Sequence, residues 1–308
     1  MTSIAYLGPR GTFTEEALLS MPVSVGADLK ALPSANAAVD AVRTGDVDYA
    51  LVAIENSIEG TVTGTLDQLA VGEPLVITDE VVIRVRFALL VRPGTALSGV
   101  RRVATHSVAA AQCRGWIAEH LPEADVIPEA SNTAGAEAVA AGQYDAVIAP
   151  VVAAEVYGLE VLADDVGDND EAWTRFVLLS RPTTVPAPTG ADKTTLFLYM
   201  RQDHPGALLE ILTEFSVRGV NLTRIESRPT RKALGDYFFS VDCEGHVADA
   251  RVGEALMGLH RICSSVRFLG SYPRHDGKEP LLRDGVTDVD FAAARAWLDA
   301  VRGSGQDA

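Results

Sequence analysis

Cysteine is scarce. Cys113, Cys243 and Cys263 are the three thiols in 308 residues, an odd number without framework spacing, which excludes a disulfide-stapled secreted scaffold. Basic residues are short as well. Lysine and arginine total 26 against 42 aspartates and glutamates, a net charge of -16 and a pI near 4.7, which argues against nucleic acid or anionic membrane as partners. No apolar run reaches the roughly 18 residues that cross a bilayer, and no basic-then-apolar leader precedes Ile4-Ala5-Tyr6-Leu7. A cytoplasmic location is expected. What is present, 47% hydrophobic and 22% charged residues over this length, fits an ordinary globular protein of two domains.

One metal pattern has to be weighed. Cys243 and His246 stand two residues apart, as do His260 and Cys263, which looks at first like a zinc site. Val247 to Leu259 between them has helical periodicity, and such a helix holds the pairs roughly 20 Å apart at about 1.5 Å per residue. Zinc bonds of about 2 Å cannot bridge that gap, so no metal is expected.

In the first part of the chain, Ile4 to Leu7 reads as a strand, Gly8-Pro9-Arg10-Gly11 as a turn, and Thr12-x-x-Glu15 as a capping box opening a helix through Leu19. The turn is either an anion cradle of free N–H groups or a plain strand-to-helix link. A second helix runs from Ser34 to Gly45, followed by the buried strand Tyr49 to Ile54 and the polar cluster Glu55-Asn56-Ser57 and Glu59-Gly60-Thr61. Ligands of open α/β sheets gather at such strand ends, although Asn56 or Ser57 capping a turn is the plainer alternative. Val81 to Val85 and Phe87 to Val91 are candidate lobe-crossing strands. Val100 to Thr105 then leads into His106 and a helix carrying Gln112, Cys113 and Trp116.

Residues 41–53 and 138–149 repeat one pattern, a helix end, a glycine stop and a small-residue strand. The repeat implies two similar α/β lobes, one inserted in the other at about residues 80–160, with the ligand between them. A short helix over Val151 to Tyr157 and the stretch Glu160-Val161-Leu162 lead to an acidic loop and then to Ala172-Trp173-Thr174-Arg175-Phe176 at a strand entrance.

Pro182, Pro186, Pro188 and Gly190 mark a linker over 182–193. Beyond it, strand Thr194 to Met200, a helix from Pro205 to Gly219, strands Val220 to Pro229 and Asp236 to Cys243 around a turn at Lys232-Ala233-Leu234-Gly235, a helix to His260 and strand Ser265 to Leu269 spell βαββαβ, a ferredoxin-like sandwich. One face of so small a sheet is expected to stay uncovered, which favours a homo-oligomer, dimer or tetramer. In the tail, 274–308, Phe291, Ala294, Trp297, Leu298 and Val301 suggest one amphipathic helix, with fraying from Gly303.

Taken together, Gly8-Pro9-x-Gly11-Thr12-Phe13, Ile54-Glu55-Asn56-Ser57-Ile58-Glu59-Gly60, Gln112-Cys113 and Thr174-Arg175-Phe176 resemble the prephenate dehydratase family, across roughly Ser3 to Pro273. The second domain resembles an ACT domain, through His204-Pro205-Gly206-Ala207-Leu208 and Glu226-Ser227-Arg228-Pro229. The resemblance implies a two-lobed catalytic domain like periplasmic binding proteins over 1–181 and an ACT regulatory domain over 194–273. It implies a carbon–oxygen lyase that converts prephenate to phenylpyruvate with loss of water and carbon dioxide in phenylalanine biosynthesis, under feedback by L-phenylalanine. Four positions depart from the family: His106-Ser107-Val108 stands where His-Pro-Gln is common, Ala172 where Asn is, and Leu209 where Val is.

On that reading Thr174, Asn56, Glu55 and Gln112 carry the chemistry, and Thr12, Ser57, Arg175, Phe176 and His106 hold the substrate. Aromatisation drives the reaction, so no cofactor is needed. Thr174 hydrogen-bonds to the leaving hydroxyl or relays a proton to it. Arg175 anchors the pyruvyl carboxylate, because a tight pair on the departing carboxylate would stabilise the ground state. The alternative for Arg175 is a salt bridge to the acidic loop. His204, Gly206, Ala207, Leu208, Glu226, Ser227 and Arg228 form the effector site, with Glu226 on the ammonium group, unless Glu226 and Arg228 are a mere surface pair. Two other readings remain open, a non-catalytic amino-acid or anion sensor and an arogenate dehydratase.

Overall fold

A computed structural model describes residues 1–202, 204–230 and 236–303. The turn expected at Lys232-Ala233-Leu234-Gly235 and the fraying expected over 304–308 lie outside the described residues. The chain divides into two compact units, residues 1–68 with 81–181, and residues 69–80 with 182–308. No described helix is long and apolar enough to cross a membrane.

The first unit opens with β1 (Ser3–Leu7), α1 (Phe13–Ser20), β2 (Asp28–Leu32), α2 (Ala35–Thr44), β3 (Tyr49–Asn56), β4 (Gly60–Thr61), most of α3 (Thr63–Ala70) and the end of β5 (Val76–Arg84). It continues through β6 (Phe87–Val91), β7 (Arg102–Thr105), α4 (Ser107–Gln112), α5 (Arg114–His120), β8 (Asp125–Pro128), α6 (Asn132–Ala140), β9 (Ala146–Pro150), α7 (Val152–Tyr157), β10 (Glu160–Ala163) and β11 (Trp173–Ser180). Two sheets result, ordered β2-β1-β3-β11-β5 with β4 paired to β3, and β10-β6-β9-β7-β8. Each is the centre of an α/β lobe, as the internal repeat implies.

The crossing between lobes falls between Arg84 and Phe87. Val81 to Val85 therefore belongs to the first lobe's sheet, and the second lobe begins nearer residue 87 than 80. The strand opened by Trp173 brings the chain back. It lies antiparallel to β3, with Thr174 opposite Asn56 and Arg175 opposite Glu55.

The first lobe's core lies between its sheet and α1, where Ile4, Tyr6, Leu18, Phe176 and Leu178 interlock. In the second, Val103, Ala109, Cys113 and Ile148 do the same. The helix expected to run through Trp116 is two. Cys113, at φ -119° and ψ 12°, breaks it into α4 and α5.

The second unit contains β12 (Asp192–Met200), α8 (Ala207–Ser216), β13 (Leu222–Pro229), β14 (Tyr237–Glu244), α9 (Ala250–Ile262), β15 (Cys263–Pro273) and α10 (Asp288–Gly303). The order βαββαβ and the antiparallel sheet β13-β14-β12-β15 are the expected ferredoxin-like sandwich. Its first helix starts at Ala207, two residues past Pro205, because Gly206 takes the left-handed cap at φ 92°. Apolar Leu196, Leu198, Phe239 and Val241 face the helices.

The opposite sheet face is not bare. Tyr199 Oη donates to Ala70 O (3.2 Å), and Arg267 donates to the carbonyls of Leu69 (2.7 Å) and Gly72 (2.6 Å). A side chain at Gly270 would collide with the carbonyl of Ile77. The segment 69–80 thus covers part of the face expected to be open.

Candidate active site

Parallel β1 and β3 end at Leu7 and Asn56, and antiparallel β11 begins at Trp173, so all three strands present their ends at one edge of the first sheet. Asn56 makes a short turn there. Its Oδ1 accepts from the backbone N–H of Ile58 and Glu59, both at 2.9 Å. With the carbonyl side of the amide thus occupied, Nδ2 is aimed at Thr174 and donates to its Oγ1 at 2.8 Å. Thr174 is 8% exposed. A hydroxyl that accepts from an amide keeps its own proton to donate, so the pair makes Thr174 a directed donor.

Strand alternation sends neighbouring side chains to opposite faces. Arg175 and Glu55 therefore lie across the sheet from Thr174 and Asn56, with Arg175 Nη1 3.5 Å from Glu55 Oε2. Arg175, expected to anchor substrate, thus leaves the strand on the face opposite Thr174. Arg175 forms a salt bridge with Glu55, and in the acidic loop Asp165 (3.0 Å) and Asp170 (2.9 Å) meet Arg84. Phe176 is 2% exposed in the core and fixes the strand without touching a cleft. Ser57 is likewise committed, since its Oγ donates to Glu171 O (3.0 Å) and accepts from Trp173 N (2.9 Å).

A cleft of about 280 Å³ opens between the two lobes of this unit, with Thr12, Phe13 and Thr14 on one wall and His106, Ser131, Asn132 and Thr133 on the other. Thr12 caps α1, accepting from Glu15 N (3.2 Å) and donating to Leu7 O (3.1 Å). Buried Glu15 braces the turn through Tyr6 Oη (3.0 Å), Arg10 Nε (3.1 Å) and the N–H of Gly11, and burial together with this carboxylate pushes the Tyr6 phenol above its ordinary range. His106 caps α4 through Nδ1, which accepts from Val108 N (3.4 Å). Asn132 Oδ1 accepts from His106 N (2.9 Å), locking α6 to α4. Ser131 accepts from Ala134 N (3.0 Å) and opens α6.

The N-terminal ends of α1 and α6 thus border one cleft, and both carry partial positive charge. Thr174, Asn56 and Gln112 are not among the residues lining it. Gln112 closes α4, its carbonyl accepting from Asp168 N (2.7 Å). Ser131, Asn132 and Thr133 went unread in the sequence, where their one signal is a polar triplet before a small-residue helix. Burial, with the nearby Asp168 charge, pushes the Cys113 thiol up to about 12.

In the second unit, His204 and Ala207 line a cavity of about 170 Å³ with Arg201, Glu210 and Ile262. Glu226, Ser227 and Arg228 lie on β13, an outer strand of the sheet, and do not line that cavity. Glu226 stands 3.8 Å from Arg224 Nη1 and 3.9 Å from Arg228 Nη1, so the pairing with Arg228 is present. Among the described residues no cluster of His, Cys, Asp and Glu could hold a metal ion.

The family model for prephenate dehydratase matches residues 4–184, and that for the ACT domain matches 194–261. The chain belongs to the prephenate dehydratase family. A family member from Mycolicibacterium vanbaalenii, named prephenate dehydratase, is 49% identical over 315 aligned positions, covering 98% of this chain and 99% of the relative. The crystal structure of the Arthrobacter aurescens prephenate dehydratase in complex with L-Phe is 50% identical, with a TM-score of 0.92 over 98% of this chain and 100% of that one. GqqA, described as a novel type of quorum quenching acylase, is 33% identical with a TM-score of 0.80 over 88% and 97% of the two chains. The two-lobed α/β unit and the appended ACT sandwich coincide with the two matched family models.

Proposed function

We propose that the chain converts prephenate to phenylpyruvate, water and carbon dioxide, as a carbon–oxygen lyase, and that the observation carrying this reading is the Asn56–Thr174 pair. Prephenate holds a ring hydroxyl para to a carbon that bears both a carboxylate and a pyruvyl arm. Breaking the ring C–O bond needs a proton on the departing oxygen. Breaking the C–carboxylate bond supplies the electron pair that completes the aromatic ring. Thr174 Oγ1, held by Asn56 Nδ2, donates its hydrogen bond to the departing hydroxyl. Its own pKa is too high for it to act as a free acid, so it relays a solvent proton to the departing oxygen, which leaves as water. The N-terminal ends of α1 and α6 receive the substrate carboxylates, while Arg175 and Glu55 brace the strand pair from behind.

An acylase reading, prompted by the GqqA likeness, fits this pair less well. Acyl transfer needs a base to activate the hydroxyl, and an amide N–H pointed at its oxygen does the reverse.

The second unit takes L-phenylalanine as effector. His204 and the Gly206-Ala207-Leu208 entry of α8 form one half of its site and Glu226-Ser227-Arg228 the other. Because the halves do not share a cavity within one chain, a second copy brings them together in a homo-oligomer. Effector binding then favours the less active arrangement, through different affinity for the two states.

The test is product formation from prephenate and from arogenate, with and without phenylalanine, alongside an N-acyl amide. Phenylpyruvate from prephenate, diminished by phenylalanine, is the expected result. Phenylalanine formed preferentially from arogenate would reassign the substrate, and amide hydrolysis alone would overturn the lyase.

A further inference from the structure

We propose that Asp168 is a positioning residue for the reaction proposed above, on which this inference rests, and that it acts by tying the helix break beside Gln112 to the segment carrying Thr174. A break between two helices leaves carbonyls at the end of the first and N–H groups at the start of the second without intrahelical partners. Asp168 meets both sides of the break at Cys113. Its backbone N–H donates to Gln112 O at 2.7 Å. Its carboxylate accepts from Gly115 N through Oδ2 (2.8 Å) and from Trp116 N through Oδ1 (3.0 Å). The approach requires glycine at 115, since a Cβ there would stand 2.9 Å from Asp168 Oδ1.

From Asp168 the chain reaches Thr174 with little slack. Arg84 Nε donates to Asp170 O (2.8 Å), Ser57 Oγ to Glu171 O (3.0 Å), Val85 N to Ala172 O (2.7 Å), and Trp173 N to Ser57 Oγ (2.9 Å). Every residue from 170 to 173 is thereby held to the first lobe or the crossing strand, while Asp168 is held to the second. The position of Gln112 relative to Thr174 is set by this strap, and a reaction that uses groups from both lobes depends on that separation. A misplacement of about 1 Å costs on the order of 100-fold in rate.

The experiment compares kcat and KM for prephenate in the full chain and in Asp168→Ala, Asp168→Asn, Gly115→Ala and the Gly115→Ala/Asp168→Ala double variant, with amide hydrogen exchange at Gly115 and Trp116. Asp168→Ala is expected to lower kcat by about 10- to 100-fold at unchanged KM and to expose both amides to exchange. Asp168→Asn, which keeps one acceptor oxygen, falls between it and the wild type. Gly115→Ala keeps the charge but displaces it, so kcat falls in the same way, and the double variant is no worse than Asp168→Ala because both act through one contact. An undiminished kcat in Asp168→Ala, amides that stay protected, or a normal kcat in Gly115→Ala beside a damaged Asp168→Ala each overturns the positioning role. A wild-type chain that forms no phenylpyruvate overturns the reaction itself and this role with it, whereas an active wild type beside an unaffected Asp168→Ala overturns the role alone.

Discussion

Strand order β2-β1-β3-β11-β5 in the first lobe returns as β8-β7-β9-β6-β10 in the second, with the fourth strand antiparallel to the third in both. A serine opens the helix after the second strand in each, Ser34 bonded to Ala37 N and Ser131 to Ala134 N, both at 3.0 Å. The two scaffolds differ where the third and fourth strands meet at the cleft edge. The first lobe places Asn56 opposite Thr174 there, and the second places Pro150 opposite Phe87. Phe87 sets its ring against that of Phe13 in an edge-on contact at 5.3 Å. One backbone plan thus carries a hydrogen-bonded amide–hydroxyl pair in one lobe and an apolar wall in the other, and the second lobe's polar contribution comes from helix starts.

The sharpest break of that asymmetry is Thr174→Val, which keeps the shape and removes the hydroxyl. Turnover of prephenate should fall by about two to four decades, while Thr174→Ser restores most of it; phenylpyruvate absorbance reads both. Asn56→Asp comes next. A carboxylate facing Thr174 accepts its proton and turns the donor away from substrate, so kcat should fall by about 100-fold, the lower end of what a lost oriented donor costs.

Ser131→Ala probes the second lobe's part. It removes an N-cap worth about 1 kcal/mol, so thermal stability and KM should suffer while kcat holds. A fall in kcat alone would contradict the assignment of this helix start to substrate binding.

An effect on stability alone, with none on turnover at neutral pH, is expected at alkaline pH. The Cys113 thiol, held near 12 by burial, stays protonated in the folded second lobe where an unfolded thiol ionises above about 8.5. The folded state then binds more protons, so stability falls as pH rises from about 8.5 towards 12, by at most about 1.4 kcal/mol per pH unit. Cys113→Ala should flatten that slope in denaturant titrations, and a slope left unchanged would place the sensitivity elsewhere.

The duplication was legible because 41–53 and 138–149 share a helix end, a glycine stop and a small-residue strand, signals that are local. The same holds for βαββαβ in the second unit. Pairings at long range were not legible. Val81 to Val85 gives no local sign of which sheet it joins, and the break at Cys113 lies in an alanine-rich run whose stabilising partner, Asp168, is far along the chain. β2 escaped notice because Asp28–Leu32 is a largely exposed strand without an apolar run. The separation of Thr174 from Arg175 onto opposite faces was available from strand alternation alone. At the candidate site, Asn56 and Thr174 stand out in their local motifs, but their contact depends on a strand register that adjacent residues do not encode.

The central claim is that Asn56 acts through Thr174 as one directed donor, and a double-mutant cycle tests it most directly. kcat is measured for wild type, Asn56→Ala, Thr174→Val and the pair combined. The account predicts that Asn56→Ala, damaging by itself, adds little once the hydroxyl is gone, leaving the double variant close to Thr174→Val. Two losses that simply multiply would contradict it.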